Sequence, residues 1–416
     1  MKGLWQQEAY LFLKQRLALP ALLLMAILSI ASVWAGMAEI ARQKETIARI
    51  QPQQANDVAA IAKWVSKEGD AGNAAYYTFH ATWDNPSALA FAAIGQRDVA
   101  PYILRVRALG LEAQLYESEN YNAELALPGR FDWAFVLTYL APLFVIVLLH
   151  DLKSSEREAG RFNLLAAMAR NETGLWRRRI VLRTGLLWLA LVMPLAAGGL
   201  LSGANFGGIL IFFAVSAAYL GFWTVLCLLV DRKGWSSVTN AATLAASWLV
   251  LTLILPALAH LGINAAVPVR QGVELTLEQR EKIHGGWDRP KEETMQAFFE
   301  VHPEWRNTKP VEGGFHWKWY YAFQHLGDLA AAPQAQAYRN GLEARDQWTS
   351  RIGFLLPAVG VQAVLHRQAK TDLRAGLAYQ DRVRAYHERL RKFYYPYLFN
   401  ETPFREADFS KAPRWD

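Results

Sequence analysis

The sequence predicts a mainly α-helical, polytopic membrane protein with two α or α+β regions outside the lipid. Of its 416 residues, 53% are hydrophobic and 19% are charged, and the charges are gathered into blocks. Between the blocks lie five uncharged runs, each long enough to cross a hydrocarbon core of about 30 Å as a helix. Because one charge at the centre of a span costs about 2.5–3.5 kcal/mol, such runs favour insertion over the alternative, the buried helices of a soluble core. The five runs are residues 17–37, 133–149, 184–201, 206–230 and 238–261.

Residues 1–37 are predicted to form an interfacial helix followed by the first span. Leu4, Trp5, Leu11 and Phe12 recur every two helical turns, with polar residues between them, as in a helix that lies in the membrane interface. A frayed polar terminus is the alternative. The run that follows also resembles a signal peptide, but its apolar stretch exceeds the roughly 7–15 residues of a signal-peptide core. We therefore expect an uncleaved first span.

Lysine and arginine predict the orientation of the spans. They are concentrated in the loops after spans two and four, whereas the turn between spans three and four carries no charge. Short loops rich in Lys and Arg remain in the cytoplasm. Residues 133–261 are therefore predicted to form a four-span bundle with a cytoplasmic loop at 150–180, and residues 38–132 and 262–416 to form two extracytoplasmic domains. The basic residues of the two loops are Lys153, Arg157, Arg161, Arg170, Arg177, Arg178, Arg179, Arg232 and Lys233.

This topology places the chain in the inner (cytoplasmic) membrane of a bacterium. The net charge of +7 then follows from the positive cytoplasmic loops, so we expect no nucleic-acid partner. The lipid membrane itself is the expected surrounding of the bundle.

The first extracytoplasmic region has helix and strand signals. Asn56 and Asp57 are predicted to cap a helix that Gly69 ends. The other predicted elements are a short strand at 76–80, a helix at 88–94 capped by Ser87, a strand or helix at 102–109 and a helix at 111–120.

The second extracytoplasmic region is predicted to be helical. A capping-box pattern at 276–279 predicts a helix that stops at Gly285 and Gly286. Residues 351–366 are apolar but too short to span, so we expect an interfacial or re-entrant segment there. The other predicted helices are 291–301, 335–349 and 379–393.

Aromatic residues are dense at 315–323. Such a block lines a ligand groove, rests at the lipid headgroups or forms a small aromatic core. We propose Trp317, Trp319 and Tyr320 as a substrate or partner surface and keep the core as the alternative.

The sequence predicts no enzyme activity, metal site or cofactor. Its single cysteine, Cys227, lies in the fourth span and excludes an intramolecular disulfide. The histidines at 284, 302, 316 and 325 do not have the spacing of a recognised copper or zinc site. No nucleophile elbow, Walker A loop or dinucleotide motif occurs.

The loop at 150–180 has the features of a docking element. Its apolar residues fall on one helical face, away from its arginines, so it can bind a partner protein. A solvated helix attracted to anionic lipid is the alternative. The residues of the apolar face are Ala159, Phe162, Leu165, Met168 and Ala169.

Several stretches resemble the ABC-2 type transporter permease family. The resemblance rests on 129–135 (Gly-Arg-Phe-Asp-Trp-Ala-Phe), 139–143 (Tyr-Leu-Ala-Pro-Leu) and 151–160, followed by Leu164 and Leu165. The family's proline-containing stretch after these leucines is replaced here by residues 170–174, and its sixth span has no counterpart. A branch of that family with large extracytoplasmic insertions and no assigned substrate is similar at residues 85–90, 95–98, 356–358 and 370–372.

The resemblance implies a membrane permease subunit of an ATP-driven transporter, acting in export or extrusion. It implies pairing with a second permease subunit, as a homodimer or heterodimer, and binding of a cytoplasmic ABC ATPase that holds the ATP. It implies that the ATPase is coupled through Glu156, Arg157, Glu158, Gly160 and Phe162. The alternative function is a membrane-anchored extracytoplasmic binding or sensor protein without transport activity.

Overall fold

The computed structural model describes residues 2–115, 130–168, 171–269 and 272–415, and it is mainly helical. Among these residues, five helices are long and apolar enough to cross a membrane, and they cover the five predicted runs except for Leu17, which precedes the first helix. In chain order the elements are α1 (Lys2–Leu13), α2 (Ala18–Glu68), α3 (Ala71–Tyr77), β1 (His80–Trp83), β2 (Ile103–Val106), α4 (Glu112–Leu115), α5 (Trp133–Phe135, a π-helical turn Val136–Leu140, and Ala141–Leu149), α6 (Ser154–Glu158), α7 (Phe162–Met168), α8 (Glu172–Leu201), α9 (Phe206–Asp231), α10 (Ser237–Leu249, a π-helical turn Val250–Ile254, and Leu255–Ala266), α11 (Gly272–Asp288), α12 (Lys291–Val301), α13 (Trp317–Ile352), α14 (Pro357–Ala369) and α15 (Leu373–Phe399).

The apolar helices form a bundle with its own core. Trp133 and Phe212 are fully buried there, and the Trp133 indole N–H donates to the Leu191 carbonyl at 2.9 Å. The helix predicted at 88–94 is instead a 3₁₀ turn, Ala90–Ala92, packed between α2 and α8. The turn can pack this closely on α2 because Gly36 has no side chain. A Cβ at that position would lie 1.9 Å from the Phe91 carbonyl oxygen.

Helix α2 runs without a break from the bundle into the region beyond it. The cap predicted at Asn56 and Asp57 is wrong, because the helix passes through both and through Pro52 as well. Its predicted end is correct, since Gly69 adopts the left-handed conformation with φ of 66°. The helix has 51 residues, or about 75 Å, which is more than twice the thickness of a hydrocarbon core. The boundary drawn at residue 37 therefore lies inside one rigid element.

A second core lies beyond the bundle, in a part of the chain that we call the head (residues 47–83, 103–115, 272–345 and 373–415). Its only described sheet is the antiparallel pair β1–β2, with His80 opposite Val106 and Trp83 opposite Ile103. The strand predicted at 76–80 begins only at His80, because residues 71–77 form α3. The sequence is compatible with either a strand or a helix at residues 102–109, and the structure has strand β2 there.

The two regions predicted as separate extracytoplasmic domains share the core of the head. Trp83 and Val106 from the first region pack in one cluster with Phe298, Leu390 and Tyr394 from the second. A buried hydrogen bond crosses the same boundary: Asp328, which is paired with Arg391 of its own region at 2.5 Å, accepts from the Leu111 backbone N–H of the first region at 2.7 Å. The head is thus one folding unit assembled from two distant stretches of chain.

Three predicted helices of the second region extend further than expected. The first continues through Gly285 and Gly286 to Asp288, because Gly286 lets Phe323 of α13 approach closely and so is needed for packing. Residues 335–349 belong to the much longer α13, and residues 379–393 belong to α15. Residues 351–366 form the turn between α13 and α14 and most of α14, which packs on α5, α9 and α10 of the bundle.

Candidate functional site

The segment between α5 and α8 folds into two short helices at one end of the bundle. Gly160 makes the turn between α6 and α7 with φ of +68°, and no other group lies within 4 Å of a Cβ built there. Below this turn the Arg161 backbone N–H donates to the Glu156 carbonyl at 2.9 Å. We call this end of the bundle, with α6, α7 and the adjoining ends of α8, α9 and α10, the loop end.

Glu156 is turned toward its own chain. It accepts from Arg161 at 2.9 Å and from Arg179 of α8 at 3.2 Å, and Arg179 also donates to Glu8 of α1 at 3.1 Å. Glu156, Arg179 and Glu8 are all largely buried. Ion pairs that are largely removed from water are stronger than exposed ones, so these contacts hold α6 to α8 and, through Arg179, to α1.

Glu158 holds the start of α10. Its two carboxylate oxygens accept from the Ser237 backbone N–H at 2.7 Å and from the Ser237 hydroxyl at 3.0 Å. A carboxylate at this position also interacts favourably with the helix dipole. The Ser154 hydroxyl lies 2.8 Å from the same serine hydroxyl, so both ends of α6 are attached to α10.

Arg157 faces the end of α9. Its guanidinium lies 3.6 Å from Asp231, and Lys153 lies 3.8 Å from the same carboxylate. Asp231 is 2% exposed, and neither of its carboxylate oxygens has a hydrogen-bond partner. The two cations therefore compensate the buried charge of Asp231.

The outer surface of the loop end belongs to α7. Phe162 stacks on Trp176 of α8 with ring centroids 5.9 Å apart and planes at 13°. Leu164 and Met168 point away from the bundle and are 60% and 76% exposed. Of the apolar face predicted for docking, Phe162 and Leu165 are half-buried, Met168 is exposed, and Ala169 lies outside the described residues.

The aromatic residues proposed as a second surface are mostly packed inside the head. Trp319 is 4% exposed and belongs to the core, which agrees with the alternative interpretation for this residue. Trp317 and Tyr320 are half-buried, with Trp317 lying over Gly72 of α3, where any Cβ would collide with its indole. Burial raises the pKa of the Tyr320 hydroxyl. The exposed rings of this neighbourhood are Phe315 and Trp287 instead.

Sequence reasoning missed two features of the loop end. Asp231 is an acid at the end of an otherwise uncharged span, next to Arg232 and Lys233, and that isolation was its only signal. Leu164 entered only through the family resemblance, because helical periodicity identifies an apolar face but not whether the fold covers it. The structure places Leu164 and Met168 together at the surface, while the three predicted charged residues bind within the chain.

The comparisons with known proteins concern the C-terminal part of the chain. Residues 273–416 match the model of a family described as a domain of unknown function, DUF3526. No curated protein and no solved structure matches the chain. The matched stretch begins in α11, beyond the last apolar helix, and contains α12, α13 and α15 of the head together with α14, which packs on the bundle.

Proposed function

We propose that this chain is the membrane subunit of an ATP-driven transporter of the ABC-2 type, acting in export or extrusion. In this proposal a separate cytoplasmic ABC ATPase supplies the energy, and a second permease subunit, identical or different, completes the pathway. The five apolar helices provide the bundle, and α6 and α7 provide the contact with the ATPase.

The charge distribution supports an orientation with the loop end in the cytoplasm. Arg161, Arg177 and Lys233 lie at that end, whereas the short turn at 202–205 at the opposite end has no charge. The head then lies outside the cytoplasm, at the far end of α2. This orientation corresponds to the inner membrane of a bacterium.

The hairpin of α13 and α14 fits the same arrangement. Phe354 and Leu355 at its tip are 91% and 80% exposed, although they are among the most apolar residues of the region. Helix α14 packs beside the π-helical turns of α5 and α10, which lie near the start of α5 and midway along α10, and Gln362 donates to the Tyr139 hydroxyl at 3.4 Å. In a bilayer the tip would be covered by lipid, as expected of a re-entrant segment.

One observation carries the assignment of the coupling site. Helix α6 is attached directly to α8, α9 and α10 by charged contacts, and through Arg179 to α1, while α7 beside it exposes Leu164 and Met168. A partner that pushes on α7 would therefore displace four helices of the bundle together. The charged residues implied by the family resemblance would transmit this motion, and the two apolar residues would receive it.

The test is the recovery of the ATPase with the purified chain. Replacing Leu164 and Met168 by aspartate should remove ATPase from the purified complex, since apolar side chains at the centre of an interface contribute most of its binding energy. Leu277→Asp, which changes an equally exposed leucine in the head, is the matched control and should retain it. Undiminished ATPase in the double variant would contradict the coupling site.

The same purification separates the two functions under consideration. A wild-type chain that never recovers an ATPase, in membranes where it is expressed with its native partners, would favour a membrane-anchored binding or sensor protein. A large head is a feature that such a binding or sensor protein would also have.

A further inference from the structure

Two histidines of the head face each other across a short gap. His302 follows the last turn of α12, and His325 lies on α13, 23 residues later. Their Nε2 atoms are 3.3 Å apart, and the ring planes are inclined at 79°. The sequence predicts no metal site here, because this separation matches no recognised ligand spacing.

The opposite nitrogen of each ring is held by a polar side chain. Nδ1 of His302 lies 2.8 Å from a Glu304 carboxylate oxygen, and Nδ1 of His325 lies 2.9 Å from the Tyr395 hydroxyl. A carboxylate or hydroxyl on the second imidazole nitrogen is the usual way in which a protein orients a metal-binding histidine. When both rings carry their proton on Nδ1, each donates to its holder and both Nε2 lone pairs are free.

The gap opens into a cavity of about 400 Å³. Three cations line this cavity, and each has a carboxylate partner: Arg391 with Asp328, Arg384 with Glu112, and Lys392 with Glu388. The charged side chains that line the cavity are therefore balanced in number, three cations against three carboxylates. The cavity is also large enough to hold several water molecules.

We propose that Nε2 of His302 and Nε2 of His325 bind one first-row transition-metal ion, Cu²⁺ or Zn²⁺, whose remaining ligands are water from the cavity. Two nitrogens that bind a tetrahedral ion at about 2.0–2.1 Å lie about 3.3–3.4 Å apart, which is the separation found here. Imidazole suits these ions, whereas Mg²⁺ and Ca²⁺ require oxygen ligands. Among the described residues no group of three or more His, Cys, Asp or Glu is arranged to hold a metal, so the site has open positions.

The two imidazoles can adopt tautomers that suit this role. Without a metal, one ring takes the tautomer with its proton on Nε2 and donates it to the other ring. Binding shifts that proton to Nδ1 of the same ring and leaves the charge of the protein unchanged.

The test is metal titration of the purified full chain, prepared in detergent without a histidine tag. Calorimetry should show saturable binding of a single Cu²⁺, weaker binding of Zn²⁺ and no binding of Ca²⁺. Electron paramagnetic resonance of the Cu²⁺ form should show coupling to imidazole nitrogen.

Variants connect the binding to these residues. His302→Asn should abolish Cu²⁺ binding, and Glu304→Gln should weaken it by about ten- to a hundredfold, because the carboxylate only orients the ligand. His284→Asn changes an exposed histidine of α11 and should leave the affinity unchanged. Thermal unfolding of each variant establishes that the head is folded, which matters most for His302→Asn, because His302 is half-buried against Phe298 whereas Glu304 is exposed.

Two results would overturn the site. One is a wild-type chain that shows no saturable Cu²⁺ binding. The other is binding that survives His302→Asn unchanged, or that is lost in His284→Asn. None of these results bears on the ATPase, so the metal site and the transport function stand or fall separately.

Discussion

At the scale of single residues, burial decides what the ionisable groups of this protein do. Glu156 and Glu158, which are polar residues of an apparent surface loop, are bound to Arg179 and Ser237 within the chain. A charge reversal at either position would therefore break intramolecular contacts before it changed any contact with a partner. The histidines of the head show the same effect more strongly, because several of them are enclosed by apolar side chains.

His80 makes the stability of the head depend on pH. The ring is buried in β1, with its Nε2 3.2 Å from the Tyr394 hydroxyl and the Tyr386 hydroxyl on its other side, and burial lowers its pKa to about 4. Between pH 6.5 and 4 the unfolded chain takes up a proton that the folded chain does not. Stability therefore falls as the pH falls, by about 2–3 kcal/mol at pH 4.5 relative to pH 7 from this residue.

Chemical denaturation followed by tryptophan fluorescence, at pH 7 and at pH 4.5, measures this effect. His80→Gln keeps a hydrogen-bonding side chain and removes the titration, so it should reduce the loss of stability in acid by about that amount. His284→Gln, at an exposed position, is the control and should behave as the wild type. An equal acid sensitivity in His80→Gln and wild type would show that His80 is protonated in the folded head.

At the scale of elements, close packing of α2 depends on one glycine. The 3₁₀ turn Ala90–Ala92 leaves the head and enters the bundle, where Phe91 is 1% exposed and contacts both α2 and α8. Gly198 of α8 faces the same ring, since a Cβ there would lie 2.8 Å from Phe91. Small residues at helix contacts allow the backbones of membrane helices to approach closely.

Gly36→Ala should therefore destabilise the bundle. Its Cβ would meet the backbone of Phe91 at 1.9 Å, so the turn must move, and such overpacking typically costs about 1–3 kcal/mol. Gly221→Ala in α9 adds the same methyl group where nothing lies within 4 Å, and it should be neutral or slightly stabilising. Thermal unfolding of both variants in detergent compares them. A Gly36→Ala variant as stable as Gly221→Ala would contradict the contact.

At the scale of the whole molecule, the bundle and the head are joined by continuous helix. Helix α2 enters both cores, so a rotation of the bundle would be carried into the head without a hinge at residue 37. Helix α14, which lies between α13 and α15 of the head in the chain, also packs on the bundle. A transporter built in this way would couple events at the loop end to its outer domain over the full length of α2.

The proposed orientation makes opposite ends of the molecule accessible from opposite sides of the membrane. In a Cys227→Ser background, a cysteine at Glu312 in the head should react with a membrane-impermeant maleimide added to intact spheroplasts. A cysteine at Ala167 on α7 should react only after the membrane is opened; both positions are exposed in the structure. Protection of position 312, or labelling of position 167 in intact spheroplasts, would contradict the proposed orientation.

The sequence by itself determined those features that depend on local composition. The five apolar helices follow from runs without charge, because the transfer free energy of each residue is a local property. The end of α2 follows from Gly69, which alone tolerates the backbone conformation required there. Hydrophobic period did not separate strand from helix at 102–109, because β2 occupies only Ile103–Val106 and four residues are too few to establish a period.

Only the tertiary structure decided which distant residues meet. Trp83 and Tyr394 share one core although the whole bundle separates them in sequence, and His302 and His325 converge only because α12 packs on α13. Packing between distant segments also decides that Glu156 and Glu158 bind residues of their own chain and that Leu164 stays exposed. The burial of a residue depends on all the neighbours that pack against it. The spacing of residues within one segment carries no information about neighbours from another segment.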